Sequence, residues 1–218
     1  MAATLIFDLD GTLIDTEKYF KRFWREAAAA FGYTMSEEQA LTLRSLGRPF
    51  APALLQEWFG EGFDYTAVRD HRRKIMEGHL LKAGLERKAG AEELLSWLKE
   101  RGYGIALATA TPKDRARMQL TQVGLADYFD ELVSAADVER GKPAPDVYLY
   151  ACRQLGIDPK EAYAVEDSPN GVLSAAAAGL KVIMVPDQTR PDEALYQKLY
   201  ACVDSLSEII GLLEADQA

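Results

Sequence analysis

The chain has 218 residues, 48% of them hydrophobic, and a formal net charge of −9. That length suits one domain or a domain with a sizeable insertion, and no apolar run approaches the roughly 20 residues needed to span a bilayer. The negative balance argues against binding to nucleic-acid polymers or anionic membranes, both of which need positive surface. No basic-then-apolar export signal precedes the first strand, so a cytoplasmic location is expected, as a monomer or weak dimer. Cys152 and Cys202 lie far apart without metal-ligand spacing and read as buried thiols of a reducing compartment. The charge is unevenly spread: residues 16 to 83 hold 11 Lys/Arg against 9 Asp/Glu, net +2, and the remainder 14 against 25, net −11. An acidic part able to hold a metal beside a mildly basic part able to meet an anion suits a phosphorylated small molecule. Two ordinary solvated surfaces would read the same way.

In chain order, the first apolar strand, Leu5-Ile6-Phe7, runs directly into Asp8-Leu9-Asp10-Gly11-Thr12-Leu13. Residues i and i+2 of a strand share a face and lie about 6.6 to 6.8 Å apart, so Asp8 and Asp10 can converge on one ligand. Two carboxylates held about 4 Å apart repel by roughly 4 kcal/mol at an effective dielectric near 20. Such a pair needs a cation, a shared proton or divided roles, unless it is simply a solvated turn. Asp15-Thr16 then opens a helix through about Phe31, with Tyr19, Phe20, Phe23, Trp24 and Ala27 recurring every three or four residues, and Gly32 ends it. Residues 36–46, 50–59 and 65–82 also read as helices. With no strand between 16 and 85, this is an all-helical insertion.

From about residue 88 helices alternate with short apolar strands. The pattern is a helix to Arg101, a strand 104–108, a helix to Val123 and a strand 131–135. It continues with a helix 146–155, a strand 162–165, a helix to Ala178 and a strand 181–185. A closing helix is expected over 201–213, with 214–218 fraying. Such alternation predicts an α/β fold with a parallel sheet flanked by helices, and ligands in such sheets bind at the carboxyl ends of strands.

Three further strand ends carry polar residues. The strand 104–108 ends in Thr109-Ala110-Thr111-Pro112, where Thr111 reads as a helix cap with Pro112 at the first helical position, and Thr109 as a ligand contact. Lys142 stands before Pro143-Ala144-Pro145, a segment stiff enough to fix its ammonium. The strand 162–165 ends in Glu166-Asp167, after which Ser168 caps and Pro169 enters a helix. Asp8, Asp10, Glu166 and Asp167 thus gather without a histidine nearby, a set of hard oxygen ligands that points to Mg²⁺ rather than zinc.

The ordered set Asp8-Leu9-Asp10-Gly11-Thr12, Thr109, Lys142 and Glu166-Asp167 resembles the haloacid dehalogenase superfamily, in its phosphatase and phosphomutase branch. The resemblance covers nearly the whole chain and implies a Rossmann-like core over 1–15 and 86–218 with a helical cap over 16–85 that closes on the site. It implies that Asp8 is a nucleophile toward phosphorus and Asp10 an acid/base. Asp8, the carbonyl of Asp10, Asp167 and Glu166 would hold Mg²⁺, and Thr109, the amide of Ala110 and Lys142 the phosphoryl oxygens. The expected substrate is a small phosphomonoester, sugar or polyol phosphates ahead of phosphoglycolate and nucleoside monophosphates. Arg44 and Arg48 are the cap candidates for a substrate contact. The run His71-Arg72-Arg73-Lys74 reads as a solvated helix face, and Tyr19, Phe23 and Trp24 as the cap's own core stripe. No lysine of the segment (Lys18, Lys21, Lys74, Lys82) stands out as a Schiff-base former, and Asp10 argues against dehalogenation. The rival enzyme reading is a β-phosphoglucomutase, whose histidine after the first motif is matched here by Phe20; the rival of another class is a binding protein without turnover.

Overall fold

The computed structural model describes residues 3–216. Six strands form one parallel sheet: β1 (Thr4–Phe7), β2 (Gly104–Thr109), β3 (Glu131–Ser134), β4 (Ala162–Glu166), β5 (Lys181–Met184) and β6 (Ala201–Cys202), in the spatial order β3-β2-β1-β4-β5-β6. All four residues of β1 are buried, as they must be in a strand covered on both faces. Its alternation divides the work. Leu5 and Phe7 join the apolar cluster that includes Leu94, Leu98, Leu120 and Ile209, whereas Ile6 joins the one that includes Val147, Ala151, Val172 and Ala175.

The first of these layers comes from α5 (Ala91–Glu100), α6 (Lys113–Gln122) and α10 (Glu208–Ala215), the second from α7 (Asp146–Leu155), α8 (Pro169–Ala178) and α9 (Glu193–Tyr196). Chain order reverses at β1, which pairs with β2 on one side and β4 on the other. The crevice that such a reversal leaves opens at the carboxyl ends of the strands, where Asp8, Thr109, Glu166 and Asp167 stand.

Between β1 and α5 run α1 (Glu17–Ala30), α2 (Glu37–Thr42), α3 (Phe50–Phe59) and α4 (Tyr65–Ala83). They enclose an apolar cluster of their own, with Trp24, Ala27, Leu55, Phe63 and Val68 at its centre. Ser36 and Gln39 form a reciprocal capping box on α2, and the Asp64 carboxylate caps α4 through the amide of Ala67. Among the described residues no helix is long and apolar enough to cross a membrane.

Four sequence expectations are corrected. The closing helix over 201–213 is in fact the short edge strand β6 followed by α10, because Ala201 and Cys202 pair with Ile183 and Met184 of β5. The tail does not fray through Asp216: α10 runs to Ala215, and the Asp216 carboxylate accepts hydrogen bonds from the hydroxyls of Tyr163 (2.6 Å) and Tyr200; Gln217 and Ala218 lie outside the described residues. The helix expected over 36–46 stops at Thr42 and gives way to a turn in which Ser45 has φ +52°. Finally, Cys152 is buried, its thiol pushed up to about 11 chiefly by burial, but Cys202 is only half-buried because β6 is an edge.

Candidate active site

Every buried charged side chain among the described residues belongs to one cluster: Asp8, Glu17, Arg44, Lys142, Glu166 and Asp167. Isolated, each would cost several kcal/mol to desolvate, so their partners matter. The Lys142 ammonium is fully buried and donates to Asp8 Oδ1 and to Glu166 Oε1, both at 2.6 Å. Burial disfavours its charged form, but Asp8 and Glu166 outweigh that and raise its pKa. Tyr148 of α7 completes the group by donating its hydroxyl to Glu166 Oε1 at 2.5 Å. Glu166 is held from the other side as well, since a β-carbon on Gly171 of α8 would run into its carboxylate. That helix starts as read from the sequence, with Pro169 at its first turn and the Ser168 hydroxyl accepting from the Gly171 amide at 3.2 Å.

Asp10 points elsewhere. Its Oδ1 accepts from the Thr16 hydroxyl at 2.6 Å and its Oδ2 from the Thr111 hydroxyl at 2.7 Å, so two donors from different segments hold one carboxylate in one orientation. Both threonines differ from expectation. Neither hydroxyl caps a helix: α1 and α6 begin without a side-chain cap bond, and Pro112 stands just before α6 rather than inside it. The tight loop between the two aspartates and α1 needs Gly11, which has φ +83° and no room for a β-carbon against Asp167 and Glu17. Thr109 is buried, its hydroxyl accepting the Thr111 amide at 3.0 Å, and together with Ala110 it lines the cavity in front of Asp8.

Arg44 does not line that cavity. Its guanidinium is 1% exposed and donates to Glu17 Oε2 at 3.1 Å, to the Thr189 hydroxyl at 3.1 Å and to Asp167 Oδ2. This engagement with acids of the sheet-side cluster is a correction to its expected contact with substrate. Arg48 does line the cavity. Between these arginines the backbone of the α2–α3 loop docks on the Lys142 loop: the Gly47 amide donates to the Lys142 carbonyl at 2.8 Å, and the Gly141 amide to the Arg48 carbonyl at 2.7 Å. Asn170 of α8 adds hydrogen bonds to the carbonyls of Thr42 (3.1 Å) and Arg44 (2.8 Å). The helical segment therefore sits closed over the strand ends.

The cavity between the two parts measures about 290 Å³. Asp8, Asp10, Thr109, Ala110 and Thr111 line its sheet side, and Phe20, Trp24, Tyr65, Arg69, Arg72 and Arg73 are among the residues of its helical wall. Trp24 thus has both roles, in the core stripe and at the cavity. Arg72 and Arg73 are not on a solvated face as the run His71-Arg72-Arg73-Lys74 suggested; both reach the cavity, and burial, with Arg73 and Arg115 nearby, lowers the Arg72 pKa to about 10.

The sequence profile of the haloacid dehalogenase-like hydrolases matches residues 5–185, most of the chain. The chain belongs to that family. Among similar proteins, the phosphorylated carbohydrates phosphatase of Thermotoga maritima is 30% identical over 215 residues, covering 97% of this chain and 90% of its own length. Hexitol phosphatase B of Escherichia coli K12 is 31% identical over 209 residues, 94% and 92% of the two chains. The crystal structure of CbbY from Rhodobacter sphaeroides in complex with phosphate superposes with a TM-score of 0.80 at 26% identity, covering 96% of each chain.

For this haloacid dehalogenase-like hydrolase the acidic cluster fits the divalent cation its donor types suggested. One oxygen each of Asp8, Glu166 and Asp167 lies within 4.8 Å of the others. Asp8 Oδ2 and Glu166 Oε2 are buried without a hydrogen-bond donor, open acceptors of the kind a cation satisfies. The six buried charges comprise four carboxylates against two cations, an excess that one Mg²⁺ would balance. Without it, burial holds the Asp8 carboxyl well above its usual range, with Glu166 and Asp167 adding to the effect and Lys142 opposing it; burial likewise lifts Asp167 to about 7 against the pull of Arg44. Sequence reasoning missed Tyr148, Glu17, Thr16 and Asn170, none of which belongs to a strand-end motif.

Proposed function

We propose that the protein is a Mg²⁺-dependent phosphomonoesterase acting on a small phosphorylated sugar or polyol through a phosphoryl group carried on Asp8, with the segment 16–85 as a cap over the site. The observation that carries this reading is the division of labour between the two aspartates. Asp8 is fixed by the Lys142 ammonium at 2.6 Å, whereas Asp10 is turned toward the hydroxyls of Thr16 and Thr111. One carboxylate is thus placed to attack and the other to move protons.

In the first step an Asp8 oxygen forms a bond to phosphorus as the ester P–O bond breaks, and the Asp10 carboxyl gives its proton to the departing oxygen. In the second, Asp10 takes a proton from water, whose oxygen bonds to phosphorus while the bond to Asp8 breaks, giving inorganic phosphate. Lys142, the Thr109 hydroxyl and the Ala110 amide neutralise and orient the phosphoryl oxygens. Asp8, the Asp10 carbonyl, Asp167 and Glu166 would hold Mg²⁺, which when bound supplies the charge that lets an anionic nucleophile approach an anionic phosphate.

The names of the relatives, a phosphorylated carbohydrates phosphatase and a hexitol phosphatase, support sugar or polyol phosphates as the substrate class. Phe20, which lines the cavity with an apolar ring, offers no proton-transferring group there and favours hydrolysis over isomerisation. The test is phosphate release from a panel of sugar, polyol, glycolate and nucleotide monophosphates, with Mg²⁺ and with chelator, beside Asp8→Asn. Metal-dependent release, reduced about 10⁴-fold or more in the variant, is expected. Unimpaired turnover by Asp8→Asn would remove the nucleophile assignment, and conversion of β-glucose 1-phosphate to glucose 6-phosphate would move the reading to a mutase.

A further inference from the structure

Glu166 ends β4 with its backbone fixed in the sheet, where it pairs with Met184 of β5. Its carboxylate turns on a terminal torsion that is broad and roughly two-fold, so its two oxygens exchange places unless neighbours tell them apart. Here they are told apart. Oε1 accepts from the Lys142 ammonium at 2.6 Å and from the Tyr148 hydroxyl at 2.5 Å. A carboxylate oxygen has about two lone-pair sites, and these two donors fill both. Oε2 is buried with no donor, and it lies against Gly171, where a β-carbon would run into it.

Lys142 alone does not achieve this, because it divides its donors between Glu166 Oε1 and Asp8 Oδ1. The remaining lone pair of Oε1 is taken by Tyr148. That side chain is fully buried on α7 and does not line the cavity, and its ring lies 5.2 Å from the Lys142 Nζ. Its hydroxyl therefore touches neither substrate nor solvent, and its effect on the site passes through Glu166.

We propose that Tyr148 is a positioning residue that makes the cation site select Mg²⁺ over Ca²⁺, by leaving Glu166 a single oxygen to offer. The proposal rests on the reading of Asp8, Glu166 and Asp167 as that site. Mg²⁺ takes about six ligands at about 2.0–2.1 Å in near-octahedral order, which carboxylates giving one oxygen each can satisfy. Ca²⁺ takes roughly six to eight at about 2.3–2.6 Å and gains from carboxylates that give both. With Oε1 filled, Glu166 cannot span the larger ion. Without the Tyr148 hydroxyl, a lone pair of Oε1 opens and the carboxylate is freer to turn. The smaller ion then loses a fixed ligand, and the larger gains a second oxygen. Outer partners of this kind are worth about 10–100-fold in metal affinity.

The test is Tyr148→Phe, which keeps the ring and its place beside Lys142 and deletes only the donor. Chelator-stripped wild-type and variant proteins are titrated in a calorimeter with MgCl₂ and with CaCl₂ at one ionic strength. The rise of Tm with each salt gives a second reading of the same constants. Wild-type protein should bind Mg²⁺ more tightly than Ca²⁺. In Tyr148→Phe the Mg²⁺ Kd should rise about tenfold while the Ca²⁺ Kd stays or falls, so the preference drops by about tenfold or more. Tyr163→Phe, which removes a hydroxyl bonded to Asp216 instead, should leave the preference unchanged. A wild-type protein without preference, a preference that survives Tyr148→Phe, or an equal drop in Tyr163→Phe would each overturn the assignment, since a general loss of stability does not sort ions by size. Wild-type protein that binds neither ion would remove the cation site itself, and the proposal with it. Neither titration uses a substrate, so silence in turnover would count against the phosphomonoesterase reading alone.

Discussion

The two walls of the cavity carry opposite charge and are held by different physics. On and behind the sheet side, Asp8, Glu166 and Asp167 at the ends of β1 and β4 are locked by Lys142 and by Arg44, which reaches in from the helical segment together with Glu17. On the helical side, Arg72 stacks on Phe20 and Trp24, and Arg69 and Arg73 on the same face of α4 pair with Asp70 out at the surface. Removing a member from the first wall leaves charges buried and unmatched. Removing one from the second leaves mostly solvated or ligand-facing groups. The first wall should therefore govern stability and chemistry together, and the second mainly which molecule is chosen.

The strongest way to break this contrast is Lys142→Met. It strips the cation from both Asp8 and Glu166, and the loss should reach about 3–5 kcal/mol in chemical denaturation without Mg²⁺, as for other half-removed buried pairs. Arg73→Gln, on the other wall, should cost no more than about 0.5 kcal/mol in the same experiment. Equal losses would show that the two walls are not built differently. The next effect in size comes from the metal. If Asp8, Glu166 and Asp167 form its site, Mg²⁺ at about 100 times its Kd adds about 2.7 kcal/mol to the stability of the folded state. That gain should vanish with chelator and in Asp167→Asn; a melting temperature indifferent to Mg²⁺ would separate the acidic cluster from metal binding.

The same contrast explains what the sequence could and could not disclose. Asp8, Asp10, Thr109, Glu166 and Asp167 sit at strand ends, where a contiguous motif fixes both the residue and the direction it faces, so alternation and a few turn residues suffice to place them. Arg72 and Arg73 lie within a polar stretch of a long helix. Whether such a run meets solvent or a cavity depends on what packs across from it, which local spacing does not encode. Arg44 fails for a related reason: its loop was legible as a cap segment, but its guanidinium turns to Glu17 and Asp167, residues distant in sequence. Thr16 and Thr111 stand at helix starts, where a hydroxyl can cap or reach another segment at similar cost. Only the folded position of Asp10 decides between the two.

Closure of one wall on the other depends on backbone contact at Gly47. A β-carbon there would lie 2.6 Å from the Gly141 Cα, far inside van der Waals contact, and would break the paired Gly47–Lys142 and Gly141–Arg48 hydrogen bonds. Gly47→Ala should leave each wall intact and hold them apart, lowering kcat/KM about tenfold, or 1.4 kcal/mol. A variant with unchanged kcat/KM would mean that this seam is not the closure that catalysis uses.

The smallest expected effect is on the orientation of Asp10. Thr111→Val keeps the shape of the side chain but removes the 2.7 Å donor to Oδ2, leaving Thr16 to hold the carboxylate through Oδ1 alone. If Asp10 moves protons, as proposed, the loss should appear in kcat, about three- to tenfold for one of the two hydrogen bonds that hold it, roughly 1 kcal/mol, with KM nearly unchanged. Thr111→Ser, which retains the hydroxyl, should recover most of the rate. If Thr111→Val instead raised KM and spared kcat, Thr111 would be a substrate contact, and the orientation of Asp10 would have to rest on Thr16.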